Sequence, residues 1–181
     1  MSKVVIISGS PSPSSRLNGI VQYAEQFLER AGFVPERITV VELPAEALIH
    51  AKFGDPAIIA ANKLVEEADA VIVATPVYKA SFTGAIKTYL DLLPQKGLAG
   101  KVILPLALGG TFGHYLMLDY ALKPVLSALG GSKILSGVFV LDTQVDRTED
   151  LQFSINDSQI IERLDTTLHN VAAELRVDLT L

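Results

Sequence analysis

The chain contains no cysteine and no tryptophan, and only two methionines and three histidines in 181 residues. Without thiols there is no disulfide, no thiolate nucleophile, no Fe–S ligation and no cysteine-built zinc site. Any redox chemistry therefore has to belong to a bound cofactor. His50, His114 and His169 are far apart and lack metal-ligand spacing; they read as ordinary surface or packing histidines. Long hydrophobic runs are missing as well, none approaching the roughly 18 residues that read as a membrane span. The opening MSKVVIISGSP has a lysine and an apolar run too short for a secretory signal, and no A-x-A-type site follows. It reads as a first strand, and the expectation is a cytoplasmic protein without a membrane partner. Basic charge is scarce: 15 Lys and Arg against 20 Asp and Glu leave a net charge of −5, with a pI near 5.2. That balance argues against general nucleic-acid binding. No G-x-S-x-G elbow occurs and no histidine sits in a triad pattern, which argues against serine hydrolysis.

Apolar residues, by contrast, are plentiful. They make up 49 % of the chain, and the mean hydropathy is +0.37, high for a soluble protein. Subunit interfaces are a natural place for the surplus. The length suits one domain over 1–181 with a large core.

Short apolar runs alternate with helical periodicity. Val4–Ser8, Ile38–Leu43, Ala70–Thr75, Val102–Leu108 and Val138–Leu141 read as strands. Several are apolar without alternation, as in parallel strands covered on both faces. Between them, Leu17, Ile20, Val21, Ala24, Phe27, Leu28 and Ala31 fall on one helical face, closed by Gly32 as a C-cap. Further helices are expected over Pro56–Glu67, Gly84–Leu93, the run HYLMLDYALKPVLSALGG and Ser158–Val177. This α/β alternation predicts a three-layer α/β/α sandwich around a five-stranded parallel sheet, in the flavodoxin-like order 2-1-3-4-5. In such sheets ligands bind beyond the carboxyl ends of the strands, so the loops after strands one, three and four matter most.

The first loop, Ser8-Gly-Ser-Pro-Ser-Pro-Ser-Ser-Arg-Leu-Asn18, offers five serine hydroxyls, Arg16 and a helix N-terminus. Together these suit a phosphate dianion. Its spacing fits neither the dinucleotide fingerprint nor a P-loop. The bland alternative is a polar turn with Ser or Asn as N-cap. In the second loop Pro76 fixes the exit from the strand, and the backbone of Val77 to Lys79 could face a planar heterocycle with Tyr78 beside it. Alternatively Tyr78 and Phe82 simply cap the core, and Lys87 with Asp91 is a weak surface pair. In the third loop Gly109 and Gly110 permit an exposed backbone that can meet an edge of carbonyls and ring nitrogens, or they form a bare turn.

The loops GSPSPSSRLN, TPVYKASFTGAIKTYLDLLP and LALGGTFGH, in this order, resemble the NADPH-dependent FMN reductase family, from the first strand to about Val145. The segments ATPVYKASFTGAIKTYLDLLPQKGLAGKV and DYALKPVLSALGG resemble most the branch that serves alkanesulfonate utilisation. The resemblance implies FMN and NADPH as cofactors. It implies a phosphate loop at Ser10, Ser15, Arg16, Leu17 and Asn18, a ring-facing segment at Pro76, Val77, Tyr78 and Lys79, and a third flavin loop at Gly109, Gly110 and Thr111. Many relatives carry arginine where this chain has Ser12, so the role of that arginine passes to Arg16 or is absent. Hydride transfer between the cofactors needs no side-chain acid or base, and no catalytic side chain is assigned. The implied function is to supply reduced FMN to a partner monooxygenase that desulfonates alkanesulfonates for sulfur acquisition. The alternatives are an FMN-retaining quinone or azo reductase, and a flavodoxin-like electron carrier, which the modest charge and lack of tryptophan disfavour.

The run Leu118-Asp-Tyr-Ala-Leu-Lys-Pro124 carries one more expectation. Pro124 has no N–H for the Tyr120 carbonyl, so the helix either kinks or widens into a π-bulge. The resemblance implies a π-helix at Tyr120, at a tetramer interface near the flavin, with Tyr120 as a gate. Apolar residues cover most of this helix, which suits one face on the sheet and another on a second subunit of a homodimer or homotetramer.

Overall fold

A computed structural model describes residues 2–177. The sheet is built from β1 (Lys3–Ser8), β2 (Val34–Thr39), β3 (Ala70–Tyr78), β4 (Ser81–Phe82), β5 (Val102–Gly109), β6 (Lys133–Ile134) and β7 (Val138–Leu141). Its path is β2-β1-β3-β5, with β6 and β7 both parallel to β5 on the far side and β4 folded back antiparallel on β3. Alternate residues of each strand enter opposite cores. Val4, Ile6, Ile72 and Leu104 pack under α1 (Leu17–Arg30) and α6 (Ser158–Val177). Val5, Ile7, Val71 and Ile103 pack under α2 (Ala45–Ile49), α3 (Pro56–Glu67), α4 (Gly84–Leu90) and α5 (Lys123–Ala128). The fold is the flavodoxin-like α/β/α sandwich. No helix among the described residues is long and apolar enough to cross a membrane.

The sheet has seven strands where five were expected. The expected fifth strand forms with its expected bounds as β7, pairing with Leu106 to Gly109, and an unexpected two-residue strand, β6, precedes it across a break, pairing with Val102 and Ile103. Pro105 sits opposite the break and has no N–H to give to a ladder. Gly137 fills the break, where a side chain would come within 2.7 Å of the Pro105 carbonyl oxygen. The seventh strand, β4, is the return arm of a hairpin at the end of β3.

The second strand lies four residues earlier than Ile38–Leu43. It starts at Val34 and runs parallel to β1, from Lys3↔Val34 to Ser8↔Thr39. As the edge strand it has one neighbour and carries exposed Glu36 and Arg37, so its residues lack the apolar signature of a central strand. Val40–Glu42 is a 3₁₀ turn instead.

Helix α1 ends as its glycine suggests. Gly32 has φ +90°, its N–H reaches Glu29 O, and the Phe33 N–H reaches Leu28 O, a Schellman closure. At its start the cap residue is Arg16, not Ser or Asn, although the Ser15 hydroxyl accepts the Leu17 N–H at 3.3 Å. Helix α4 stops at Leu90, and two tighter turns carry the chain to Pro94. Lys87 and Asp91 form the expected surface pair at 2.6 Å. The last helix spans Ser158–Val177 as the pattern predicts. Ahead of it lies a two-stranded hairpin that the sequence reading lacks, β8 (Val145–Arg147) with β9 (Phe153–Ile155).

Candidate functional site

The loops after β1, β3 and β5 meet at one end of the sheet. Pro76 on β3 is the register partner of Leu108 on β5. Gly109, at the end of β5, lies against Val77 and Phe139: a Cβ there would be 3.4 Å from Val77 Cβ and 2.8 Å from the Phe139 ring. Gly9, at the end of β1, faces the start of α4, with Ile86 Cβ 3.1 Å from where its own Cβ would stand. The Thr75 hydroxyl donates to the Pro76 carbonyl at 2.9 Å and accepts the Thr83 N–H at 3.2 Å. Buried Thr83 in turn caps α4. These contacts lock the three loops into one rim.

The first loop is shaped by its own side chains. Buried Ser10 donates its hydroxyl to Ser12 O at 3.0 Å, and the Ser12 and Ser14 hydroxyls pair at 3.1 Å. The Asn18 amide donates to the Ser12 and Pro13 carbonyls at 3.0 and 2.9 Å. Carbonyls are thereby drawn inward to Asn18. The N–H groups of Ser12, Ser14 and Arg16 have no acceptor among the described residues. Unpartnered N–H groups at a helix N-terminus, with hydroxyls around them, are what a phosphate monoester needs. Leu17 is in the core, so it can contribute only its backbone. The Arg16 side chain turns toward the hairpin, its Nε donating to Val145 O at 2.9 Å.

The second loop is a tight β-hairpin. Val77 and Tyr78 pair with Phe82 and Ser81, and the two residues between them, Lys79 and Ala80, have φ +50° and +64°. This is the type I′ pattern, usually made with Asn-Gly. Tyr78 and Lys79 are exposed at its tip, and Pro76 is buried beneath. Phe82 is half-buried against the core, as the bland alternative for it anticipates. In the third loop Gly110 and Thr111 are exposed, the Thr111 hydroxyl accepts the Gly113 N–H at 3.3 Å, and Asp142 Oδ2 lies 3.5 Å from a Cβ placed on Gly110. Phe112 follows and stacks on Tyr115, ring centroids 5.3 Å apart.

Beyond the third loop the helix widens. Leu118–Leu122 is a π-helical turn, with the Lys123 N–H reaching back to Leu118 O, and α5 begins next to Pro124. The tighter alternative, a plain proline kink, is not what forms. Met117, Leu118, Leu122 and Leu126 are buried. Tyr120 is 79 % exposed, and Leu116 and Phe112 are each 57 % exposed. A cavity of about 770 Å³ lies outside this rim, along β7 and α6, and holds no residue of the first two loops.

Sequence reasoning missed Thr75 and Thr83, which hold the rim, and the β8–β9 hairpin with Arg147, whose Nη1 donates to Ser14 O. Short alternating runs, VDR and FSI, on either side of Thr148-Glu-Asp-Leu151 were the available signal for the hairpin.

The model of the NADPH-dependent FMN reductase family matches residues 2–146. An FMN reductase (NADPH) of Pseudomonas putida is 46 % identical over 167 residues, 92 % of this chain and 83 % of that protein. Its counterpart in Escherichia coli is 46 % identical over 92 % of this chain and 86 % of its own length. Among solved structures, the apo form of an NADH:FMN oxidoreductase superposes with a TM-score of 0.85 at 34 % identity, covering 96 % of this chain and 90 % of that one. The fold, the rim of three loops and these likenesses agree: the chain belongs to the NADPH-dependent FMN reductase family, oxidoreductases that bind FMN and use NADPH.

Proposed function

We propose that this reductase hands its reduced FMN to a separate FMN-dependent monooxygenase, one that desulfonates alkanesulfonates for sulfur acquisition, and that it works in the cytoplasm as one flavin-binding domain assembled into a homodimer or homotetramer. FMN, when bound, supplies the hydride acceptor. The protein's part is binding and orientation. Ser10, Ser15, Asn18 and the backbone of Arg16 and Leu17 form the phosphate end, with the unpartnered N–H groups of Ser12, Ser14 and Arg16 turned to the anion. The Arg16 guanidinium adds charge beside it. Pro76, Val77, Tyr78 and Lys79 run along the ring. Gly109, Gly110 and Thr111 bring backbone to its polar edge, where the lack of a Cβ keeps the approach open.

The observation that carries the release step is the π-helical turn at Leu118–Leu122. It follows the third loop directly and turns Tyr120 outward, with exposed Leu116 one turn before it and Phe112 at the rim. Such π turns concentrate at functional sites. A second subunit covering this apolar face would sit beside the flavin and could make Tyr120 a gate for its exit. The test is direct: record the absorbance of the purified protein and follow NADPH oxidation with and without added FMN. A colourless protein whose turnover depends strictly on added FMN supports the reading. A stoichiometrically yellow protein that reduces quinone without free FMN replaces it with the flavin-retaining reductase.

A further inference from the structure

The β8–β9 hairpin is fastened to the first loop by two hydrogen bonds and packs against the start of α1. The Arg16 Nε donates to Val145 O at 2.9 Å, and Arg147 Nη1 donates to Ser14 O. Gly19, in the first turn of α1, has no side chain because the hairpin occupies the space: a Cβ would come within 2.8 Å of Phe153 Cβ and 2.9 Å of Val145 Cγ1. Leu151 and Phe153 line a cavity of about 470 Å³ together with Ser10, Ser12, Asn18 and Arg37. Leu151 reaches that position with φ +58°, a left-handed conformation that crowds the Cβ of a bulky residue. Strain of this kind persists only where the surroundings hold it. The hairpin turn supplies that hold: the Leu151 N–H bonds to Thr148 O at 3.2 Å and the Thr148 N–H to Gln152 O at 3.0 Å.

Arg147 is the hairpin's cation in this attachment. Among the described residues it has no carboxylate partner within ion-pair distance, although Asp146, Glu149 and Asp150 are on the same hairpin. Asp146 instead accepts from the Asn156 amide at 2.9 Å. Arg147 donates its hydrogen bond to Ser14 O, a loop carbonyl that the Asn18 side chain does not restrain. With the Pro13 carbonyl held by Asn18, the Ser14 N–H on the same peptide faces away from it without a protein acceptor among the described residues, and with Ser14 O held by Arg147 the Ser15 N–H closes on Ser12 O at 3.1 Å, which fixes the turn that presents the Ser14 N–H. Arg147 lies one residue beyond the stretch matched by the family model.

We infer that the hairpin, through Arg147, is a positioning element of the first loop and so sets how strongly the enzyme favours a phosphorylated flavin over the same flavin without its phosphate. This rests on the reading of that loop as the phosphate site. Loss of Arg147 frees the Ser14 carbonyl to turn into the anion's place and removes a positive charge, and only a phosphate-bearing ligand feels either change.

The experiment compares FMN with riboflavin as the flavin reduced, at saturating NADPH, in the full-length protein. Wild type is expected to show a lower KM for FMN. Equal values for the two flavins would sink the phosphate-loop reading and this inference with it. Given that preference, Arg147→Ala is expected to raise the KM for FMN about tenfold, the scale of one charge-assisted hydrogen bond, with kcat and the riboflavin KM unchanged. Arg147→Lys is expected to recover most of the loss. An unchanged KM for FMN, or an equal rise for both flavins alongside a lowered Tm, overturns the inference while leaving the loop reading intact. If Arg147→Ala does not fold, Arg147→Gln, which keeps a donor but no charge, is read in the same comparison.

Discussion

At the tip of the second loop, Lys79 and Ala80 occupy a turn whose geometry favours Asn and Gly. Each non-glycine residue at positive φ costs about 1 kcal/mol or more, because its Cβ crowds the adjoining carbonyl. The pair is held there by the β3–β4 register and by Thr83, whose N–H bonds back to Thr75. Replacing both, Lys79→Asn with Ala80→Gly, is expected to raise stability by about 1–2 kcal/mol, which at this chain length lifts Tm by roughly 2–4 °C per kcal/mol. A urea melt with an unchanged midpoint would show that the turn is not strained. Glycine does the opposite service at Gly109 and Gly19, where no side chain fits at all.

At the scale of elements, the π turn and the hairpin matter most. Tyr120 contributes almost nothing to the core of one chain, being 79 % exposed, so its truncation should not unfold the protein. Tyr120→Ala is expected to keep the Tm within about 2 °C, since surface changes stay near 0.5 kcal/mol, and to change either flavin retention or oligomeric state. Light scattering and the absorbance of the purified protein read both. If neither moves, the turn is only a way of accommodating Pro124. Asp119 and Lys123, paired across the same turn, belong to its solvent side.

For the molecule as a whole, α1 and α6 cover one face of the sheet and are joined by a hydrogen bond from Tyr23 to Asp165 Oδ1 at 2.7 Å. Burial, then that bond to the carboxylate, pushes the Tyr23 hydroxyl up to about 12. A raised pKa means that the folded state prefers the protonated phenol. Its contribution is complete below about pH 10, the ordinary value, and is lost as pH rises through about 12. Stability measured by chemical denaturation is therefore expected to fall over that alkaline interval, and Tyr23→Phe to flatten the fall. The same slope in both proteins would rule Tyr23 out as its source.

Much of this was present in the sequence alone. The central strands β1, β3 and β5 are buried on both faces, so their residues had to be apolar throughout, and that is a local signal. Helices α1 and α6 carry complete apolar faces, and Pro124 announced a kinked or widened turn because a missing N–H is a property of one residue, the choice of the widened one coming from the family resemblance. The three loops were legible for the same reason, as runs of serine, proline and glycine with special backbone needs. What tertiary structure decided is whatever depends on a neighbour. The edge strand β2 was misplaced because one of its sides is solvent. The two-residue β6 was missed because what makes it a strand is its pairing with Val102 and Ile103, on another strand. Arg147 gave no local sign at all: its carbonyl partner is 133 residues away in sequence, and the packing of Val145 and Phe153 on Gly19, with the Arg16 bond to Val145 O, brings the two together.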